Sequence, residues 1–332
     1  MRRLLPLFAL ALVGAGASLA CTITTINGGD DGGVDGAVGP EAATDDGSTA
    51  AEGSVGSDGG VEAEAEAAAP QTFIRVANWS PDAPAAGFDI CLAPHGTTVW
   101  SGPMLAAGLA GTTALADGGA SAIQFPWVTA SISVNVNQYD LQLVAAGAAT
   151  CATGFIPTTV NLPALAAGAT TTFAIIGDVS KSGADASLSV VAFANDSTVA
   201  SGNAALRFIN VAPDLAAVDV GDGTLSTSNF QPLFTNVQFG QSGTQAGSDA
   251  GTVDANGYVE VAPVSGVKLS VHTSAGGTSD TATASNQILA SGVVTTMALV
   301  GGKNGGPSPQ LLVCADNGTP SGGFTPCSIV TQ

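Results

Sequence analysis

The chain has 332 residues, with 7 Lys and Arg against 26 Asp and Glu, and a formal net charge of −19. That balance excludes nucleic acid as a partner, because phosphate binding needs clustered Lys and Arg, and it excludes an electrostatic grip on anionic lipid. The negative charge mainly keeps an exported chain soluble.

The N-terminus reads as an export signal. Arg2 and Arg3 precede an uncharged, mostly apolar run from Leu4 to Leu19, and the small residues Ser18 and Ala20 lead to Cys21. A positive start, an apolar run and a small-residue exit make a secretory signal peptide over residues 1–20. The run is short and glycine-broken for a permanent membrane span. Ala20-Cys21 resembles the lipobox of bacterial lipoproteins, which implies that Cys21 is acylated and becomes the first residue. The departure is Ser18, where that pattern prefers Leu. Ser18 and Ala20 also fit an ordinary signal peptidase, so the alternative to lipidation is simple secretion or an uncleaved anchor.

Residues 21–71 form the next segment. From Asn27 to Pro70 the chain holds 11 of its 26 acids and no Lys, Arg, aromatic residue, Leu or Ile. Such a stretch buries too little apolar surface to offset the entropy of ordering it. The expectation is a disordered acidic linker spanning roughly 40 Å as a coil. Asp30-Asp31 and Asp45-Asp46 do not have calcium-loop spacing.

The remainder is long enough for two domains, and an internal repeat divides it. Arg75-Val-Ala-Asn-Trp-Ser-Pro-Asp82 aligns with Arg207-Phe-Ile-Asn-Val-Ala-Pro-Asp214. Each is followed by an apolar-Asp-apolar step, Phe88-Asp89-Ile90 and Val218-Asp219-Val220. Later matches keep the same order: Tyr139 to Val144 with Val267 to His272, Thr171 to Gly177 with Thr295 to Gly301, and Ser189 to Asp196 with Gln310 to Asn317. Several ordered matches mark a duplication. Within them, Ile132, Val134 and Val136 alternate with Ser133 and Asn135, and Tyr139, Leu141 and Leu143 alternate with Asp140 and Gln142. The phase flips at Asn137-Gln138, which predicts a turn between two strands. Val267, Leu269 and Val271 repeat the alternation in the second copy. The expected fold is all-β: two immunoglobulin-like antiparallel β-sandwich domains, at residues 72–199 and 203–332, after the acidic linker.

The same residues carry a family resemblance. The Arg-x-x-Asn-x-Ser/Ala-Pro-Asp opening and the following x-Asp-x strand resemble the bacterial family called domain of unknown function 4397. So do the later Gly/aromatic strands and the Asp/Asn-rich end. The resemblance spans roughly residues 72–197 and 204–318. It implies an exported or cell-surface protein with the domain in tandem, and it supplies no chemistry. Leu215 and Ala216 depart from the usual pattern, and Ser101 to Ala122 and Gln245 to Asn256 stand out as insertions.

Few residues offer catalysis. His95 follows Pro94 in a loop, and His272 falls on the polar face of its strand, where an exposed position is expected. No Gly-x-Ser-x-Gly elbow occurs, and Gly301-Gly-Lys-Asn-Gly-Gly306 lacks phosphate-loop spacing. The folded part holds one glutamate, Glu260. Pro81-Asp82 and Pro213-Asp214 read as turn chemistry, with the carboxylate accepting backbone N–H groups. Arg75 and Arg207 are expected to pair with a local acid, Asp89 and Asp219, and Asn78 and Asn210 belong to the same framework. Trp79, Trp100 and Trp127 are either core or a glycan platform. With Cys21 lipidated, four cysteines remain in an oxidising compartment, allowing three pairings. Keeping each bond within one repeat gives Cys91–Cys151 and Cys314–Cys327. The reading is a lipid-anchored envelope or cell-surface protein, on the outer membrane or cell surface. It acts as a non-catalytic module for an envelope polymer or surface protein and uses no cofactor or metal. The alternative is an envelope-polymer hydrolase with its site in an insertion.

Overall fold

The computed structural model describes residues 69–105, 122–156, 159–180, 187–195, 198–222, 230–244, 251–274, 277, 279–302, 307–317 and 324–330. The expected signal peptide, Cys21 and nearly all of the acidic linker lie outside these residues. So do 106–121 and 245–250, most of the first insertion and half of the second.

Among the described residues the fold is all-β, with nineteen strands and no helix. In chain order the first eight are β1 (Gln71–Asn78), β2 (Phe88–Pro94), β3 (Trp127–Thr129), β4 (Ile132–Asn135), β5 (Tyr139–Ala145), β6 (Val160–Asn161), β7 (Thr170–Ile176) and β8 (Ser189–Asn195). Then come β9 (Ala204–Asn210), β10 (Ala217–Asp222), β11 (Gln231–Gln238), β12 (Gln241–Ser242), β13 (Tyr258–Val261) and β14 (Val264–Thr273). The last are β15 (Ala282–Leu289), β16 (Val294–Val300), β17 (Gln310–Ala315), β18 (Phe324–Pro326) and β19 (Ser328–Val330). The phase flip at Asn137-Gln138 is the turn between β4 and β5.

The strands build two sandwiches. In the first, an inner sheet ordered β18-β3-β1-β7-β8, with β4 also on β1, faces an outer sheet ordered β2-β5-β6. Ile74, Val76, Phe88, Ile90, Leu141, Leu143, Phe173 and Ile175 fill the space between them. In the second, an inner sheet ordered β12-β9-β16-β17-β19, with β13 on β9, faces an outer sheet ordered β11-β10-β14-β15. Leu206, Phe208, Val218, Val220, Phe234, Leu269, Val271, Met297 and Leu299 form that core. Each inner sheet contains one parallel pair among antiparallel neighbours. Arg75 lies opposite Thr172 in β1–β7, and Arg207 opposite Thr296 in β9–β16.

The two inner sheets are buried on both faces. Side chains alternate across a strand, so while Ile74 and Val76 point into the first core, Ala77 and Trp79 point the other way. There they meet Ala174, Ile176 and Phe193 of their own sheet and Ile209, Val211, Ala298, Val300, Leu312, Cys314 and Cys327 of the second sandwich in one apolar cluster. The two inner sheets thus pack back to back. The burial of β7, β9 and β16 almost throughout their length follows from this double coverage.

Both expected disulfides are present: Cys91 with Cys151, 60 residues apart, and Cys314 with Cys327, 13 apart.

Candidate functional site

The joint between the sandwiches holds the largest concentration of buried polar chemistry among the described residues. Arg75 and Arg207 lie on the joint-facing side of β1 and β9, which alternation requires, since Ile74, Val76, Leu206 and Phe208 occupy the core side. They are 4% and 1% exposed. Burial of a guanidinium demands that its donors be satisfied, and both send their terminal nitrogens across the joint while Nε stays within their own sandwich. Arg75 Nη1 donates to Asp316 Oδ1 at 3.4 Å and Nη2 to the Ala315 carbonyl at 3.3 Å, while Nε reaches the Thr129 carbonyl at 3.3 Å. Arg207 Nη1 donates to the Ala194 carbonyl at 2.6 Å and Nη2 to Asn195 Oδ1 at 2.9 Å, with Nε on Thr296 Oγ1 at 3.0 Å.

The exchange is reciprocal. Under the sequence match of Ser189–Asp196 with Gln310–Asn317, Ala194 corresponds to Ala315 and Asn195 to Asp316. Each arginine therefore grips the equivalent corner of the other sandwich, as in an isologous contact between two copies. The threonines follow suit: Asn195 Nδ2 donates to Thr172 Oγ1 at 2.8 Å, and Thr296 donates its hydroxyl to Asp316. Tyr258 completes the second half. Its hydroxyl donates to Asp316 Oδ2 at 2.8 Å, and its ring lies 4.4 Å below the Arg207 guanidinium carbon, a cation–π contact. Burial first, and then the Asp316 charge, raise the Tyr258 pKa and keep the phenol neutral. Asp316 also lies 3.8 Å from Arg207 Nη2, so one carboxylate serves both arginines.

This corrects the expected local pairs. Asp89 accepts from its own backbone N–H neighbour Ile90 at 2.7 Å and from Leu105 N at 2.8 Å. Asp219 accepts from Asn236 N at 2.7 Å and from the Ser274 hydroxyl. Asp89 and Asp219 sit on the strands of the outer sheets, and Arg75 and Arg207 point away from those sheets, toward the joint, so a sandwich core separates each arginine from the acid expected for it.

The other framework residues shape turns. Asn78 Oδ1 accepts from Ser80 N and its Nδ2 donates to the Ile123 carbonyl, both at 3.1 Å. Asn210 repeats this with Ala212 N and the Leu215 and Val237 carbonyls. Pro81 and Pro213 lie in the turns that follow. Asp82 accepts from Val179 N, Ser180 N and the Ser180 and Ser80 hydroxyls, tying the β1–β2 turn to the end of β7. Burial would raise the Asp82 carboxyl, but these donors outweigh it and hold its pKa below the usual value. Asp214, its counterpart, lies against Gly302, where an added Cβ would fall 2.8 Å from Oδ2. Residues 303–306 beyond it lie outside the described residues.

The histidines sit apart. His95 is exposed and its Nδ1 lies 2.7 Å from Asp140. His272, expected to be exposed, is 4% exposed. The ring of Phe230 stacks on it at 4.1 Å, and Asp280 lies 2.9 Å from its Nε2. Lys268 Nζ donates to the other Asp280 oxygen at 2.9 Å. Burial would raise Asp280, but the bonds from Lys268 and His272 outweigh it and hold its pKa down. Trp79 is core at the joint, while Trp100 and Trp127 are half-buried and do not form a shared platform with it. Among the described residues, no group of three or more His, Cys, Asp or Glu is arranged to hold a metal ion.

Asn195, Tyr258, Thr296 and Asp316 were not singled out from the sequence. Asn195 and Asp316 stand at corresponding places in two matched segments, and that coincidence was the available signal.

Residues 106–221 match the family model described as Domain of unknown function (DUF4397). The match begins within the first sandwich and ends in β10 of the second, so it includes the Arg207 to Asp214 motif. No curated protein matches the chain. Among solved structures, it is similar to a leucine-rich repeat protein from Bacteroides thetaiotaomicron VPI-5482 at 9% identity and a TM-score of 0.19, over 68% of this chain. The chain spans 26% of the length of that protein.

Proposed function

We propose that this chain is an exported envelope lipoprotein, anchored through Cys21, whose two sandwiches are tandem copies of one family domain and act as a non-catalytic binding or structural module. The observation that carries the reading is the use made of the shared framework. Arg75 and Arg207 close the joint, Asn78, Asn210 and Asp82 shape turns, and Asp89 and Asp219 hold strand edges. Residues kept in both halves serve architecture, and recognition falls to surface loops. The partners are the membrane, through the lipid, and an envelope polymer or surface protein.

The test deletes 106–121 or 245–250 and compares thermal unfolding with binding to whole cells or isolated envelope. Retained unfolding with weakened binding is the expected result; unchanged binding for both deletions refutes the loop assignment. Mass spectrometry of the membrane fraction should find a lipid on Cys21, and an unmodified Cys21 in soluble protein refutes the anchor.

A hydrolase acting on envelope polymer is the second reading, and the pairing of buried His272 with the part-exposed Asp280 is what favours it. Asp280 is shared with Lys268, and Phe230 covers the imidazole, which suits a structural clasp better than a base open to substrate. Polymer turnover lost in His272→Gln at unchanged stability would install the hydrolase reading instead.

A further inference from the structure

We propose that the C-terminal segment is a strap across the joint, and that the Cys314–Cys327 disulfide, formed within the second sandwich, fastens it against the first. The path of the chain carries this. β17 belongs to the second inner sheet and ends at Ala315. The chain next forms β18, antiparallel to β3 at the edge of the first inner sheet, with Phe324 opposite Thr129, Thr325 opposite Val128 and Pro326 opposite Trp127. It then turns at Cys327, whose N–H donates to the Pro126 carbonyl at 3.0 Å. Immediately afterwards β19 returns to the second sandwich, pairing Ser328 with Val313 and Val330 with Leu311 on β17. One short segment thus completes an edge in each sandwich, and Cys327 is the point where it crosses.

A three-residue strand on a sheet edge holds few ladder bonds and frays unless tied down. The tie is the bond to Cys314, and both sulfur-bearing residues lie in the apolar cluster that joins the sandwiches. The fastening also sits beside one of the two arginine grips. Cys314, Ala315 and Asp316 are consecutive, and Ala315 and Asp316 are the acceptors of Arg75. Opening the strap therefore loosens the Arg75 corner before the Arg207 corner, whose acceptors Ala194 and Asn195 lie at the end of β8. The disulfide acts on the first sandwich although neither of its cysteines lies in that sandwich's sequence.

Amide hydrogen exchange on the full chain tests this, with Cys314→Ser/Cys327→Ser and Thr325→Pro as variants. Thr325→Pro keeps the disulfide and removes a donor from β18. In the double serine variant, exchange at 127–129 and 327–330 should accelerate on the order of tenfold or more, with β5 and β14 of the outer sheets unchanged. Thr325→Pro should accelerate 127–129 less, because the tether remains. Should the double variant not fold, the native chain is treated with a dithiol, which opens both disulfides as one dithiol is oxidised per bond, and the same amides are compared with those of a Cys91→Ser/Cys151→Ser variant treated alike, in which only Cys314–Cys327 remains to be opened. Unchanged protection of 127–129, or protection lost evenly over both sandwiches, overturns the proposal.

Discussion

Arg75 and Arg207 stand at matching places in two sandwiches of like design, yet their surroundings differ. Arg75 has the carboxylate of Asp316, but its three hydrogen bonds run from 3.3 to 3.4 Å. Arg207 faces a neutral amide at the equivalent corner and has Asp316 only at 3.8 Å, with bonds to Ala194, Asn195 and Thr296 between 2.6 and 3.0 Å, a longer one to the Asn256 carbonyl at 3.5 Å and the Tyr258 ring against its plane. Opposite charge is not what distinguishes the better-built site. A buried charge is tolerated when its donors are matched in geometry, and removing one partner is costly because the other is left stranded.

The largest expected effect breaks the better half. Arg207→Ala should destabilise by about 3–5 kcal/mol in denaturant unfolding, since Asn195 and Ala194 lose a buried donor and Asp316 loses an ion-pair partner. Arg75→Ala should cost less, about 2 kcal/mol, because Asp316 keeps Arg207, Tyr258 and Thr296. An equal or reversed ranking would show that charge pairing, not hydrogen-bond geometry, governs the joint.

Asn195→Asp sharpens the comparison by making the corners alike. It places a second carboxylate 2.9 Å from an Arg207 nitrogen and lets Thr172 donate as Thr296 does. The expected gain is about 1 kcal/mol at neutral pH. A carboxylate stabilised by a neighbouring guanidinium titrates below its unfolded value, so the gain is present above that value and disappears as pH falls through the folded one. A loss of stability at neutral pH would mean that the amide is required there.

The smallest effect concerns the turn. Asp82→Ala should cost about 1 kcal/mol, with binding retained by whatever protein survives unfolding. The Asp82 pKa is lowered from 3.8, so its contribution is complete above 3.8 and fades below it as the folded carboxylate protonates. The variant should therefore approach the parent in stability as pH drops through that acid range. A difference that stays constant with pH contradicts this assignment.

The strands were legible because half-buried strands alternate. Tyr139 to Val144 and Val267 to His272 each face one core and read as period two. The turn at Asn137-Gln138 was legible for the same reason. The joint is less legible, although its signature stands in the sequence. Phe-Ala-Ile-Ile in β7 and Met-Ala-Leu-Val in β16 are apolar without alternation, which marks strands covered on both faces. The arginine partners were misassigned for a related reason. Asp89 lies close in sequence to Arg75, but it sits on an outer sheet while Arg75 faces the joint. Asp316 lies 241 residues away along the chain. His272 occupies the polar phase of β14 as expected, and Phe230, from a different part of the chain, covers it.

The central claim, that each framework arginine belongs to the opposite sandwich, is tested most directly by two double-mutant cycles on Arg75. One pairs Arg75→Met with Asp316→Asn and the other pairs it with Asp89→Asn, with unfolding free energies measured for every corner. The account predicts a coupling of roughly 1–2 kcal/mol with Asp316 and none beyond about 0.3 kcal/mol with Asp89. Coupling to Asp89 with none to Asp316 would contradict it.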